Sequence, residues 1–276
     1  MTIIATLITR RATVHASDSL LTISRNGMAD AINWEQTKII GVPAWRGAMS
    51  YWGLAEVRDQ NDVVLWSVLG WLRHQAGSAS TFASAEAFAA HLANTLESEL
   101  SRFTFANPRD KGIGIHFTAY ERIQDRWVPE MFLVSNWGDL GYMTLRNIGV
   151  GYSRETYGTL SGHGSSKEDG ALERRLEAAN CITNGQWLHY NNGDPLLYNP
   201  VANTILDMMA AMARRGILRD TDNVETLISL GRRPIEVVSA LQKDFCALGT
   251  RIIGGRIHDL AVTPDGQYLS TSGDTP

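Results

Sequence analysis

Three residues near the start of this chain have types and spacing that suit covalent chemistry: Thr2, Asp18 and Lys38. Removal of Met1 would leave Thr2 with a free α-amine and a β-hydroxyl on one residue. A threonine hydroxyl is a weak nucleophile alone and is activated by an adjacent base. The α-amine is such a base, since its reference pKa of ~7.7–8 leaves much of it able to accept a proton near neutrality. A nearby lysine ammonium lowers that pKa, and a carboxylate paired to the lysine keeps it charged and oriented. Lys38 is the only lysine before Lys111 in a chain that has four. A compact ammonium suits this role where a planar guanidinium does not. Taken singly, the same residues have plainer readings: a chain terminus, a turn aspartate and a solvated lysine at a strand end.

The elements that must position them follow from the apolar pattern. Residues 2–9 read as a short buried strand, Arg10 and Arg11 as a turn, and residues 13–17 as a second strand, so the chain opens with a hairpin. The stretch 25–30 reads as a loop, and 38–42 as a third strand closed by Pro43. Helical spacing is expected over 50–74, and more clearly over 82–103, where Phe88, Leu92, Leu96 and Leu100 form one stripe and Ser84 caps the start. Strands follow at 114–120, 131–135 and 142–148, then a Gly-rich loop at 158–166 and a helix from Ala171. The segment 186–200 reads as polar and turn-rich, 203–215 and 225–245 as helices, 257–262 as a last strand, and the tail after Leu269 as frayed. Strands and helices come in blocks rather than in alternation. That order predicts an α+β fold with helices outside two sheets, in one domain.

The opening TIIATLITRRATVHASDSLLT resembles the start of proteasome β-subunits. In that family the nucleophilic Thr begins a strand, and an Asp in an A-x-D-S-like turn follows sixteen residues later; Thr2 and Asp18 have that separation. The run TKIIGVPAWRGAMSYWG resembles the family's lysine-bearing strand and its G-x-M-A-G-G stretch. It places Lys38 on the catalytic lysine, Met49 near the mouth of the specificity pocket, and Ser50 and Tyr51 where a backbone N–H would stabilise an oxyanion. HLANTLESEL, SGHGSSKEDGAL, VETLISLGRRPIEVVSAL and GGRIHDLAVTPDG resemble later family helices, the Gly-Ser-Gly loop and the last strand. Residues 180–223 are skipped by the similarity and look like an insertion. His163 stands where the family has the serine of that loop. Asp244 and Thr250 are the two candidates for a second supporting residue.

The resemblance implies a four-layer αββα sandwich of the N-terminal-nucleophile hydrolases. It also implies a threonine-type peptidase acting on peptide or protein substrates within a homo-oligomeric ring, without a cofactor; whether an unfolding ATPase serves it stays open. Two rival readings stay open as well. One is a non-catalytic ring or scaffold subunit. The other is acyl transfer to an amine, as in a ligase or transpeptidase. Composition agrees with a globular interior protein: 44% hydrophobic, 20% charged, net charge −4. No basic stripe points to nucleic acid, and no apolar run reaches the ~20 residues of a membrane helix. Cys181 and Cys246 form no metal or redox spacing, which fits a reduced, cytoplasmic setting. The seven histidines show no metal-ligand spacing.

Overall fold

A computed structural model describes residues 2–25, 28–105, 112–123, 125–137, 148–156, 188–193, 195–217, 223–247 and 250–272. The strands are β1 (Ile4–Ile8), β2 (Thr13–Asp18), β3 (Leu21–Arg25), β4 (Met28–Asn33), β5 (Ile39–Val42), β6 (Gly47–Gly53), β7 (Glu56–Arg58), β8 (Val64–Ser67), β9 (Ile113–Ile123), β10 (Arg126–Trp137), β11 (Ile148–Thr156), β12 (Leu188–Asn192), β13 (Ile257–Val262) and β14 (Tyr268–Leu269). The helices are α1 (Val68–Ser78), α2 (Ala85–Leu100), α3 (Pro195–Arg214) and α4 (Val224–Phe245).

Two five-stranded sheets organise the described residues, in the orders β12-β1-β2-β13-β14 and β11-β10-β9-β6-β5. Every pairing in both is antiparallel. The fold is therefore mixed α+β. All residues of β1 and β2 are buried. Successive side chains on a strand leave by opposite faces, and here both faces are covered. Ile3, Ala5, Val14 and Ala16 pack with residues of α3 and α4 such as Tyr198, Ile228 and Ile235. Ile4 and Ile8 instead pack with Trp52, Met131 and Leu133 of the second sheet. That sheet's other face, with Met49, Tyr51, Phe117 and Phe132, packs on Val68, Leu72, Phe88, Leu92 and Leu96 of α1 and α2.

Helix α2 forms where the apolar stripe predicts it. The Ser84 hydroxyl accepts from Ala87 N–H at 3.0 Å, and Glu121 of β9 accepts from Ala85 N–H at 3.0 Å, so two of the free amides at the helix start are satisfied. Phe88, Leu92, Leu96 and Leu100 are all buried, each contributing about 1.5–3 kcal/mol by leaving water.

Several expectations change. The stretch 25–30 is not a loop throughout: β3 and β4 form a hairpin pairing Arg25 with Met28. Helical spacing over 50–74 misleads, because β6 is buried on both faces and shows no alternation. Only residues from Val68 onward are helical there, after the hairpin β7–β8. The segment 186–200 is not merely turn-rich. Within the 180–223 stretch, β12 pairs with β1 at the sheet edge and α3 packs on the first sheet. The tail is tied down as far as Ser272: Thr271 N–H donates to Asp259 Oδ1 at 2.7 Å, and its hydroxyl donates to Oδ2 at 2.8 Å. The expected strand start at 142–147 and the helix from Ala171 to Ala179 lie outside the described residues.

A polar seam joins the two sheets. His15 Nδ1 lies 2.8 Å from Ser50 Oγ, and its Nε2 lies 2.8 Å from Thr118 Oγ1. The Thr6 hydroxyl lies 2.9 Å from His116 Nδ1, and His116 Nε2 bonds Asn192 Oδ1. An amide oxygen only accepts, so His116 carries its proton on Nε2 and Thr6 donates to Nδ1. Burial, with help from His116, pushes His15 from 6.5 down to about 3. Burial likewise pushes His116 down to about 4. Both are neutral in the fold, whereas an unfolded histidine protonates near 6.5. The unfolded chain thus binds more protons below that pH, and stability falls as pH drops. Between pH 6.5 and 5.5 the loss is about 1 kcal/mol per histidine. Urea denaturation across that interval should show it. A flat stability profile would mean the seam is not buried and neutral.

Candidate active site

Lys38 lies immediately before β5, Asp18 ends β2, and Thr2 stands two residues ahead of β1. The pairing of β1 with β2 sets Ile4 opposite Ser17, which brings the start of the first strand to the end of the second. The Lys38 ammonium then donates three hydrogen bonds: to Thr2 Oγ1 at 2.8 Å, to Asp18 Oδ1 at 3.1 Å and to the Leu20 carbonyl at 2.8 Å. Those are all the protons an ammonium has. Lys38 is 1% exposed, Asp18 0% and Thr2 7%.

Asp18 is held from its own side. Oδ1 also accepts from Ile3 N–H at 3.0 Å, and Oδ2 accepts from Gly254 N–H at 3.4 Å. Burial pushes the Asp18 carboxyl above the ordinary carboxylate range, and the Lys38 charge and the two backbone amides oppose that push. Burial pulls the Lys38 ammonium below the ordinary lysine range, and the charge of Asp18 opposes that pull. Burial thus works against the charge of each partner, and each charge favours the other.

The three residues read from the sequence as a set are in contact. Other expected members are not. Asp244 is exposed on the last turn of α4, and Thr250 is exposed with its hydroxyl on the Ala247 carbonyl at 2.8 Å. The support expected from one of them comes from the Gly254 amide, and a main-chain donor leaves no residue-type signature. Met49 is fully buried between the second sheet and the helices rather than at a mouth. Ser50 points into the seam with His15. Tyr51 N–H is committed to the Lys38 carbonyl at 3.2 Å, so in this arrangement it is not a free oxyanion donor. The reason is that β6 has strands on both sides, and its amides serve the ladders. His163 lies outside the described residues.

Four contributors escape a reading by residue type. The Leu20 carbonyl takes one ammonium proton. Gly255, at φ +74, lies so close to the Trp34 carbonyl that a Cβ would sit 2.3 Å from its oxygen. The neighbouring Gly254 carbonyl accepts from the Ser19 and Leu20 amides at 3.2 and 3.0 Å. Gly193, at φ +118, lies over the Thr2–Ile3 peptide, where a Cβ would sit 1.7 Å from the Thr2 oxygen. Gly255 and Gly193 are the available signals, since only glycine tolerates such approaches and dihedrals.

No protein-family model matches this chain, and no curated protein matches it. Among the described residues no group of three or more His, Cys, Asp or Glu could hold a metal ion. No helix among them is long and apolar enough to cross a membrane.

The buried pair makes a prediction that does not depend on activity. Lys38→Met leaves the Asp18 carboxylate buried without its cation, which should cost about 3–5 kcal/mol of stability. Adding Asp18→Leu should recover part of that loss. Urea denaturation of both variants at pH 7 checks it. A double variant at least as unstable as Lys38→Met would refute a buried ion pair.

Proposed function

We propose that this chain is a threonine-type N-terminal-nucleophile amidohydrolase, a peptidase, with Thr2 as its nucleophile. The observation that carries the reading is the buried contact of Lys38 Nζ with both Thr2 Oγ1 at 2.8 Å and Asp18 Oδ1 at 3.1 Å. Isolated buried ammonium groups are costly. One that donates to a threonine hydroxyl at the chain's start has an evident chemical use. The two antiparallel sheets, with α1 and α2 on one and α3 and α4 on the other, agree with a four-layer αββα sandwich.

The chemistry runs as follows. With Met1 removed, the Thr2 amine takes the proton of its own hydroxyl, directly or through water. Lys38 donates to Oγ1, so the hydroxyl proton points elsewhere and the developing alkoxide is stabilised. The same ammonium lowers the amine pKa and keeps more of it in the basic form near neutrality. Oγ attacks the substrate carbonyl carbon and an O–C bond forms. The amide C–N bond then breaks as the Thr2 ammonium returns its proton to the leaving amine. Water attacks the resulting ester, its proton passes to the Thr2 amine, and Oγ leaves with that proton restored. Asp18 holds Lys38 charged throughout.

Peptides or proteins are the proposed substrates, and a homo-oligomeric ring the proposed assembly. The test uses the full chain. Intact mass shows whether Met1 is gone, and a peptide-based electrophile shows whether Thr2 acquires an adduct. Thr2→Ala should lose the adduct and at least roughly 10³-fold of peptide turnover, as removal of a nucleophile does elsewhere. Turnover unchanged in Thr2→Ala would end the proposal, and a retained Met1 would leave no free base and point to a scaffold subunit.

A further inference from the structure

We infer that Tyr51, braced by Gln36, is a positioning residue that sets the height of the Lys38 ammonium against Thr2. The inference rests on the proposed function and names a further part of the same site.

Tyr51 grips the approach to Lys38 at two points. Its N–H donates to the Lys38 carbonyl at 3.2 Å, and its hydroxyl donates to the Thr37 carbonyl at 3.4 Å. The phenol oxygen also accepts from Gln36 Nε2 at 3.3 Å. Gln36 is itself fixed, with its N–H on the Ser19 carbonyl at 3.0 Å and its Oε1 accepting from Asn33 Nδ2 at 3.3 Å. The side chains of Tyr51 and Gln36 thus tie residues 36–37 to β6, while the Gln36 amide ties the same segment to the turn that follows Asp18. Tyr51 is among the largest fully buried side chains, and burial pushes its phenol upward from 10. It stays a neutral donor at any working pH.

The bracket matters because Lys38 has two anchors at its head and only the backbone at its foot. Asp18 and Leu20 draw the ammonium toward the end of β2. The distance to Thr2 then depends on where the Lys38 backbone sits, and Tyr51 is the side chain that holds the residue before it. A chain at this point without the phenol would keep the Tyr51 amide contact, since any residue has one, but would lose the hold on Thr37. Small displacements of this kind are costly to a reaction that depends on near-contact geometry.

Tyr51→Phe removes only the hydroxyl and keeps the ring packing, and Gln36→Leu removes the brace. Peptide turnover against pH, the rate of Thr2 acylation and thermal melting are measured for wild type, both single variants and the double. The expected result is a fall in kcat of about tenfold for Tyr51→Phe with KM within about twofold. The acid limb of the kcat/KM profile should move to higher pH, because an amine farther from the ammonium regains its ordinary affinity for protons. The double variant should be no worse than Tyr51→Phe alone, since both act on one bracket. A lower melting temperature with an unmoved acid limb and unchanged kcat would overturn the inference and leave Tyr51 as packing. If wild type acquires no adduct at Thr2, the proposed function fails and this inference falls with it. If wild type reacts and Tyr51→Phe reacts identically, this inference alone fails.

Discussion

A lysine ammonium and an aspartate carboxylate lie together out of water, and the rest of the molecule is arranged around that fact. Burying two charges costs several kcal/mol per ion before their attraction is counted. Each charge must then find every hydrogen bond it can. Asp18 takes amides from Ile3 and Gly254, and Lys38 gives its remaining protons to Thr2 and the Leu20 carbonyl. These partners come from the start of the chain, the turn after β2 and the loop before β13. With the stretch that carries Lys38 itself, four separate pieces of backbone meet at one pair of side chains. Removing either charge strands the other, so the pair acts as a condition on the fold as well as a feature of the site.

The same logic governs the layer between the sheets. An all-apolar interface would leave the two sheets free to slide, because apolar contact is non-directional. The seam of His15, His116, Thr6, Thr118, Ser50 and Asn192 has direction. Four of its bonds join a residue of the first sheet to one of the second. Asn192 belongs to β12 and precedes Gly193, which lies over the Thr2 carbonyl. The seam and the candidate site therefore share one edge of one sheet, and the register of the sheets bears on where Thr2 sits.

Much of this was legible because physical chemistry limits where certain residues go. A four-residue apolar period admits little but α2, and its Ser84 cap appears where the pattern stops. The late helix α4 and strand β13 were equally plain. Thr2, Asp18 and Lys38 stood out through side-chain chemistry, which sequence records directly. Strands buried on both faces hid themselves: β6 carries apolar residues without alternation and reads like a helix segment. The β3–β4 hairpin was missed although Asn26-Gly27 lies between the two strands in the sequence, a dipeptide that favours two-residue turns. The supports of Asp18 were invisible because they are main-chain amides, common to almost every residue. Asp244 and Thr250 stand near the expected count along the chain, and space does not follow that count.

The glycine lying over the Thr2 carbonyl has a consequence in time. Ribosomes deliver a chain from its first residue onward. Thr2, Asp18 and Lys38 emerge early, but Gly193 and Gly254 lie much farther along the sequence. Until then the first strand lacks its outer neighbour and the carboxylate lacks an amide. The contacts around Thr2, Asp18 and Lys38 are therefore complete only once residues far along the sequence have joined them.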